Sequence, residues 1–192
     1  MSVTRVNDAW KAGLGDWFRQ TFDGFSRALS DCPDSLWEES LWHSTKPWPA
    51  GASLGAERPE LERPQLFSAF WFVAWHAIDV THYDLEGQAK PAWAPPQPFS
   101  VAGDRSAIER RYYLPLRVIT RSELQDYVAD TRRKAEATLA SLSDEDVGRP
   151  VPVGHRYAGI PYASLLLMCL THSRDHLAQL EMFLGQRGIG RA

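Results

Sequence analysis

The chain has 192 residues, 44% of them hydrophobic and 23% charged, with a formal net charge of -3. That length suits one domain over residues 1–192 with a sizeable core, and the charge gives neither a basic footprint for nucleic acid nor a polybasic anchor for a membrane. Two cysteines, Cys32 and Cys169, without a CxxC pair, argue against a secreted disulfide scaffold and for a reduced, cytoplasmic setting. The first residues lack the apolar run of a signal peptide, and the longest apolar stretch, Leu66 to Ile78, is shorter than the ~20 residues a bilayer requires.

The first expected helix runs from Asn7 to Leu29, where Trp10, Leu14, Trp17, Phe18, Phe22, Phe25 and Leu29 recur at three-and-four spacing. Pro33 stops it. Residues 33–65 hold five prolines and read as a long irregular connection with a short helix near Ser35–Trp42. Its tryptophans, Trp37, Trp42 and Trp48, suggest a functional cover over one end of a bundle. A second helix is expected from Arg63 or Pro64 to Leu85, ending at Gly87. Another proline-rich segment follows, with an ambiguous short helix from about Ser106 to Pro115. Thr120-Arg121-Ser122-Glu123 has capping-box spacing and opens a third helix reaching about Leu142. Ser143 to Pro150 reads as a polar linker. The fourth helix spans Ile160 to Leu184 or Gln186, with Gly185 and Gly188 as stop signals. Four long helices without alternating strands predict an all-α four-helix bundle with long irregular connections between the first three helices.

His172 and His176, four apart on the fourth helix, stand roughly 40° apart on one face, close enough to share a ligand. They occupy a seam with Leu165, Cys169, Gln179 and Phe183, where the pattern asks for core residues. An isolated HxxxH is most often structural, but a third histidine, His76, interrupts the other very apolar helix. Three neutral imidazoles pointing into a bundle describe a metal site with open positions. Asp79 and Tyr83, three and seven residues after His76, share its face and are candidates to orient an incoming group; a surface salt bridge is the other reading of Asp79. His82 lies about 120° around from His76 and is set aside. His43 and His155 fall in loops and are expected to face solvent. Cys169 reads as a small buried apolar residue. The absence of a glutamate after His172 excludes the HExxH protease arrangement, and no phosphate loop or nucleophile elbow occurs.

Phe72-Val73-Ala74-Trp75-His76-Ala77-Ile78-Asp79, Ser141 to Val147, and Ala163 to Gly188 together resemble the DinB-like superfamily of four-helix bundles. The resemblance implies a divalent metal, nickel or zinc, held by His76, His172 and His176. It also implies a low-molecular-weight thiol, such as bacillithiol or mycothiol, as cosubstrate in some relatives. A homodimer is expected because relatives commonly pair and because Trp10, Trp17 and Phe18 exceed what one core is expected to hold, leaving an exposed aromatic patch. Leu177-Ala178 departs from the commoner ending of the family's last helix.

Three functions compete. The first is an enzyme whose metal activates a thiol or water against a small electrophilic substrate, with Trp37, Trp42, Trp48, Trp71 and Trp75 as apolar walls. The second is a metal-binding stress-response or interaction bundle without turnover. The third is a bundle whose histidines are structural.

Overall fold

The computed structural model describes residues 6–42, 68–87 and 118–190. Helix α1 covers Val6–Asp31. Its stripe of Leu14, Phe18, Phe22, Phe25, Ala28 and Leu29 is buried, with Phe18 stacked on Phe22 at 6.0 Å. Phe18, expected to add to an exposed aromatic excess with Trp10 and Trp17, is thus a core residue, because its register continues the buried stripe.

After Pro33 the expected Ser35–Trp42 helix is absent. A single 3-10 turn at Asp34–Leu36 is followed by Ser40 bridging Ala69. The bridge is made by Leu41 N–H to Ser68 O at 2.7 Å and Phe70 N–H to Glu39 O at 3.0 Å. It holds Ala69 extended (φ -63, ψ 142), so α2 starts at Phe70 and runs to Asp84 instead of beginning at residue 63 or 64. Trp37 is buried and donates from its indole N–H to Ile119 O at 2.9 Å, so it ties two connections together. Trp42 is exposed, whereas Trp48, His43 and the expected helix near residues 106–115 lie outside the described residues.

Helix α3 covers Arg121–Ser141 and carries the expected capping box at Thr120 and Glu123. The segment read as a polar linker contains a short helix, α4, at Asp144–Gly148, opened by a second capping box between Ser143 and Asp146. Helix α5 covers Tyr162–Gly185. Pro150 and Pro161 bridge at the root of the preceding loop, where Val151 N–H reaches Ile160 O and Tyr162 N–H reaches Arg149 O, each at 2.8 Å.

Side-chain partners give the topology. Gln125, early in α3, donates to Ser26 O late in α1, and Lys11, early in α1, donates to Leu142 O beyond the end of α3. These two helices are therefore antiparallel. Phe70 meets Phe183, and Thr81 meets Ser173, so α2 and α5 are antiparallel as well. Asp79 pairs with Tyr127 and Glu86 with Lys134, making α2 and α3 parallel. Helix α1 packs on α3 and α5, and α2 packs on the same two, giving an up-down-down-up bundle. Parallel neighbours such as α2 and α3 cannot be joined by a tight turn, which explains the separation of Gly87 from Val118 in sequence.

Helices α1 and α5 approach closely at Gly24, where an added Cβ would collide with the Leu177 side chain. Between α2 and α5, the buried hydroxyls of Thr81 and Ser173 meet at 2.5 Å, with Ala77 O 2.6 Å from the first and Cys169 O 2.8 Å from the second, so that one hydroxyl donates across to the other, which donates to its own carbonyl. Such a pair is costly to break in a dry interior and fixes the register of the two helices. Among the described residues, no helix is long and apolar enough to cross a membrane.

Candidate metal centre

The α2–α5 register brings His76 against His172 and His176. Ring centroids lie 5.3 Å apart for His76–His172, 5.2 Å for His76–His176 and 4.5 Å for His172–His176. One ligand atom from each lies within 4.8 Å of the others, and all three side chains are half-buried. Within α2, from Phe70 to Asp84, only His76 and Val80 are not fully buried, so the cluster opens outward through this part of the helix.

Each ring is positioned by a neighbour. The His76 ring lies parallel to Phe72, at 6.3 Å and 4°. His176 Nδ1 is 2.8 Å from Gln179 Oε1. The amide oxygen only accepts, so Nδ1 carries the proton and Nε2 presents a lone pair. That Nε2 stands 3.1 Å from His172 Nε2. Without an ion, His172 must donate from Nε2, which leaves its buried Nδ1 bare and without a hydrogen-bond partner. His172 and His176 could both turn Nε2 lone pairs to an ion, with the His172 proton then on Nδ1 and the ring still neutral. Metal–nitrogen bonds of about 2.0–2.1 Å place neighbouring ligand nitrogens roughly 3.0–3.4 Å apart, so the observed spacing fits one ion.

The electrostatics favour the same use. Burial first, then the neighbouring imidazoles, pull His76 down to about 3, and burial with His176 pulls His172 down to about 4. Burial also lowers His176, opposed by its bond to Gln179. All three are therefore neutral at neutral pH, the form that ligates a metal. Arg156 contributes to the lowering at both His76 and His172, so its positive charge is felt at the cluster.

The remaining candidates fall elsewhere. Asp79 is buried on the side of α2 that meets α3, and its Oδ1 accepts from Tyr127 Oη at 2.9 Å. Tyr83 is buried two turns beyond His76, stacked at 4.8 Å on His155. His155 itself is a correction: it is a loop residue but buried, its Nε2 3.4 Å from Asp84 Oδ1 and its Nδ1 accepting from Tyr157 N–H at 3.1 Å. Asp84 also binds Arg156 Nη2 at 2.7 Å, a corner that sequence order did not reveal because it joins α2 to a distant loop. His82 turns to α3, where its Nε2 is 3.5 Å from Asp130 and its Nδ1 3.3 Å from Lys134 Nζ. Cys169 is fully buried with its thiol toward Thr81 O, and burial pushes it well above the usual thiol range.

Searches among curated proteins and among solved structures find no match. A family model, described as the DinB superfamily, matches residues 17–180. The matched span runs from α1 into α5 and takes in all three histidines, and the chain belongs to the DinB superfamily.

Proposed function

We propose that the three-histidine centre binds one divalent metal ion, nickel or zinc, and that the protein uses it to activate a low-molecular-weight thiol, or water, for transfer to a small electrophilic substrate. The observation carrying this reading is the convergence of three neutral, half-buried imidazoles on one point between α2 and α5. Three protein ligands leave positions for an incoming group, unlike a closed structural site. When bound, the ion supplies positive charge that favours the deprotonated form of a thiol or water near neutral pH.

The chain's own residues supply the rest. Gln179 holds His176 in the tautomer that points Nε2 into the cluster, and Phe72 fixes the plane of His76. Asp79 and Tyr83, the residues expected to orient an incoming group, are turned to other partners, Asp79 to Tyr127 and Tyr83 to His155, and are given no part at the ion. Trp71 and Trp75, both buried, form part of the apolar ground around the His76 segment. Cys169 is no competitor, because its buried thiol stays protonated.

Metal analysis of untagged protein should find one ion per chain, with sharp losses in His76→Ala, His172→Ala and His176→Ala while helical circular dichroism is kept. Gln179→Ala should weaken binding by roughly 10–100-fold, as loss of a ligand-orienting partner does. Full occupancy in the His172→Ala/His176→Ala double variant would refute the site. The loaded protein should also speed conjugation of one thiol from bacillithiol, mycothiol, glutathione and cysteine to an electrophile. No metal-dependent rate across that panel removes the transferase reading and leaves hydrolysis or metal binding without turnover.

A further inference from the structure

We infer that Arg156 is the anion-recognising end of the binding site centred on the histidine cluster, so that its ligand is a small molecule with a metal-binding donor at one end, an apolar middle and a carboxylate at the other. The inference rests on the metal reading above and adds the chemistry of the ligand's far end.

The geometry runs along one face of α2. Val80 lies one turn beyond His76 and about 40° around, and Tyr83 lies nearly in line with His76 after two turns, about 10 Å along the axis. Val80 shares the half-buried window of His76. On α5, Met168 stands one turn before His172 and is 39% exposed. Beyond this apolar pair the face is closed by the His155 ring on Tyr83, and the next residue is Arg156.

Arg156 is built for the role. Its loop is pinned at the root by the Pro150–Pro161 bridge. One edge of the guanidinium is fixed by the buried Asp84 carboxylate at 2.7 Å, and the group lies 4.7 Å from the centre of the Tyr157 ring. Among the described residues, its Nε and Nη1 make no hydrogen bond, and 37% of the side chain is exposed. A planar guanidinium held along one edge offers the other to a carboxylate in paired hydrogen bonds. Its charge also reaches His76 and His172, which ties it electrically to the metal ligands.

The test uses the cobalt(II)-loaded protein, whose visible absorption reports a thiol entering the metal centre. Titration with 6-mercaptohexanoate should give binding about tenfold or more tighter than with 6-mercaptohexanol. Mercaptoacetate, too short to span from donor to guanidinium, should keep the same affinity relative to 2-mercaptoethanol in Arg156→Gln as in the parent protein. The long-chain preference should vanish in Arg156→Gln, and equally in the Asp84→Asn/Arg156→Gln double variant, which removes the buried carboxylate left without its partner. Equal binding of the long acid and the long alcohol to the parent protein overturns the inference and leaves the metal reading standing. A preference that survives both variants overturns the assignment to Arg156. If none of the four thiols alters the spectrum, thiol binding at the metal and the inference fall together.

Discussion

His76, His172 and His82 illustrate what burial does to an imidazole that has no dominant carboxylate partner. Their values fall to about 3, about 4 and about 4, against about 6.5 for an exposed histidine. Because the folded values are depressed, the unfolded chain binds protons first as pH drops. Stability of the metal-free protein is therefore full above about pH 6.5 and is lost progressively as pH falls toward 4. Urea midpoints at pH 7.5, 6 and 4.5 should decline in that order, and His76→Gln should flatten the decline. A midpoint unchanged across the range would contradict the burial of neutral rings. The paired histidines on α5 were legible in the sequence because they interrupt an apolar seam at helical spacing. The burial of His155 was not, since its partners Tyr83 and Asp84 lie some seventy residues earlier and no local pattern connects them.

Helix boundaries show the same division between local and distant causes. The start of α3 is written in four residues: Thr120 N–H donates to Glu123 Oε2 at 2.9 Å, and Glu123 N–H donates to Thr120 Oγ1 at 3.3 Å. Thr120→Ala should cost about 1 kcal/mol in chemical denaturation. A loss within error of zero would show that the cap is redundant with the packing of Leu124 and Tyr127. The same signal, Ser143 with Asp146 three residues later, opens α4 and was available in the sequence, but the acidic run obscured it. The start of α2 was out of reach by periodicity, because Leu66 and Phe67 extend the apolar run while the Ser40–Ala69 bridge decides where helix begins. The seams of α1 and α5 were readable because each buries a stripe, except at Trp17, which fits the three-and-four spacing yet lies on the exposed side of α1.

At the scale of the molecule, α1 and α5 carry apolar surface that the bundle does not cover. Trp17 is 48% exposed under the Arg174 guanidinium, and Leu167 and Met182 are exposed on α5. We propose that this surface pairs two chains, and light scattering at micromolar concentration should give about twice the 21.7 kDa of one chain. A mass near that of a single chain would rule the pairing out. The bundle's connectivity also separates the ligands in time. His76 leaves the ribosome about a hundred residues before His172, several seconds at roughly 5–20 residues per second. During that interval a lone imidazole on α2 has no partner with which to grip an ion. An ion that needs all three histidines would therefore join the chain as a late arrival, well after α2 has been made. Protein refolded with a chelator, then freed of it and given metal, should reach the same stoichiometry as protein refolded with metal present. A permanent deficit would mean that the ion takes part in assembly.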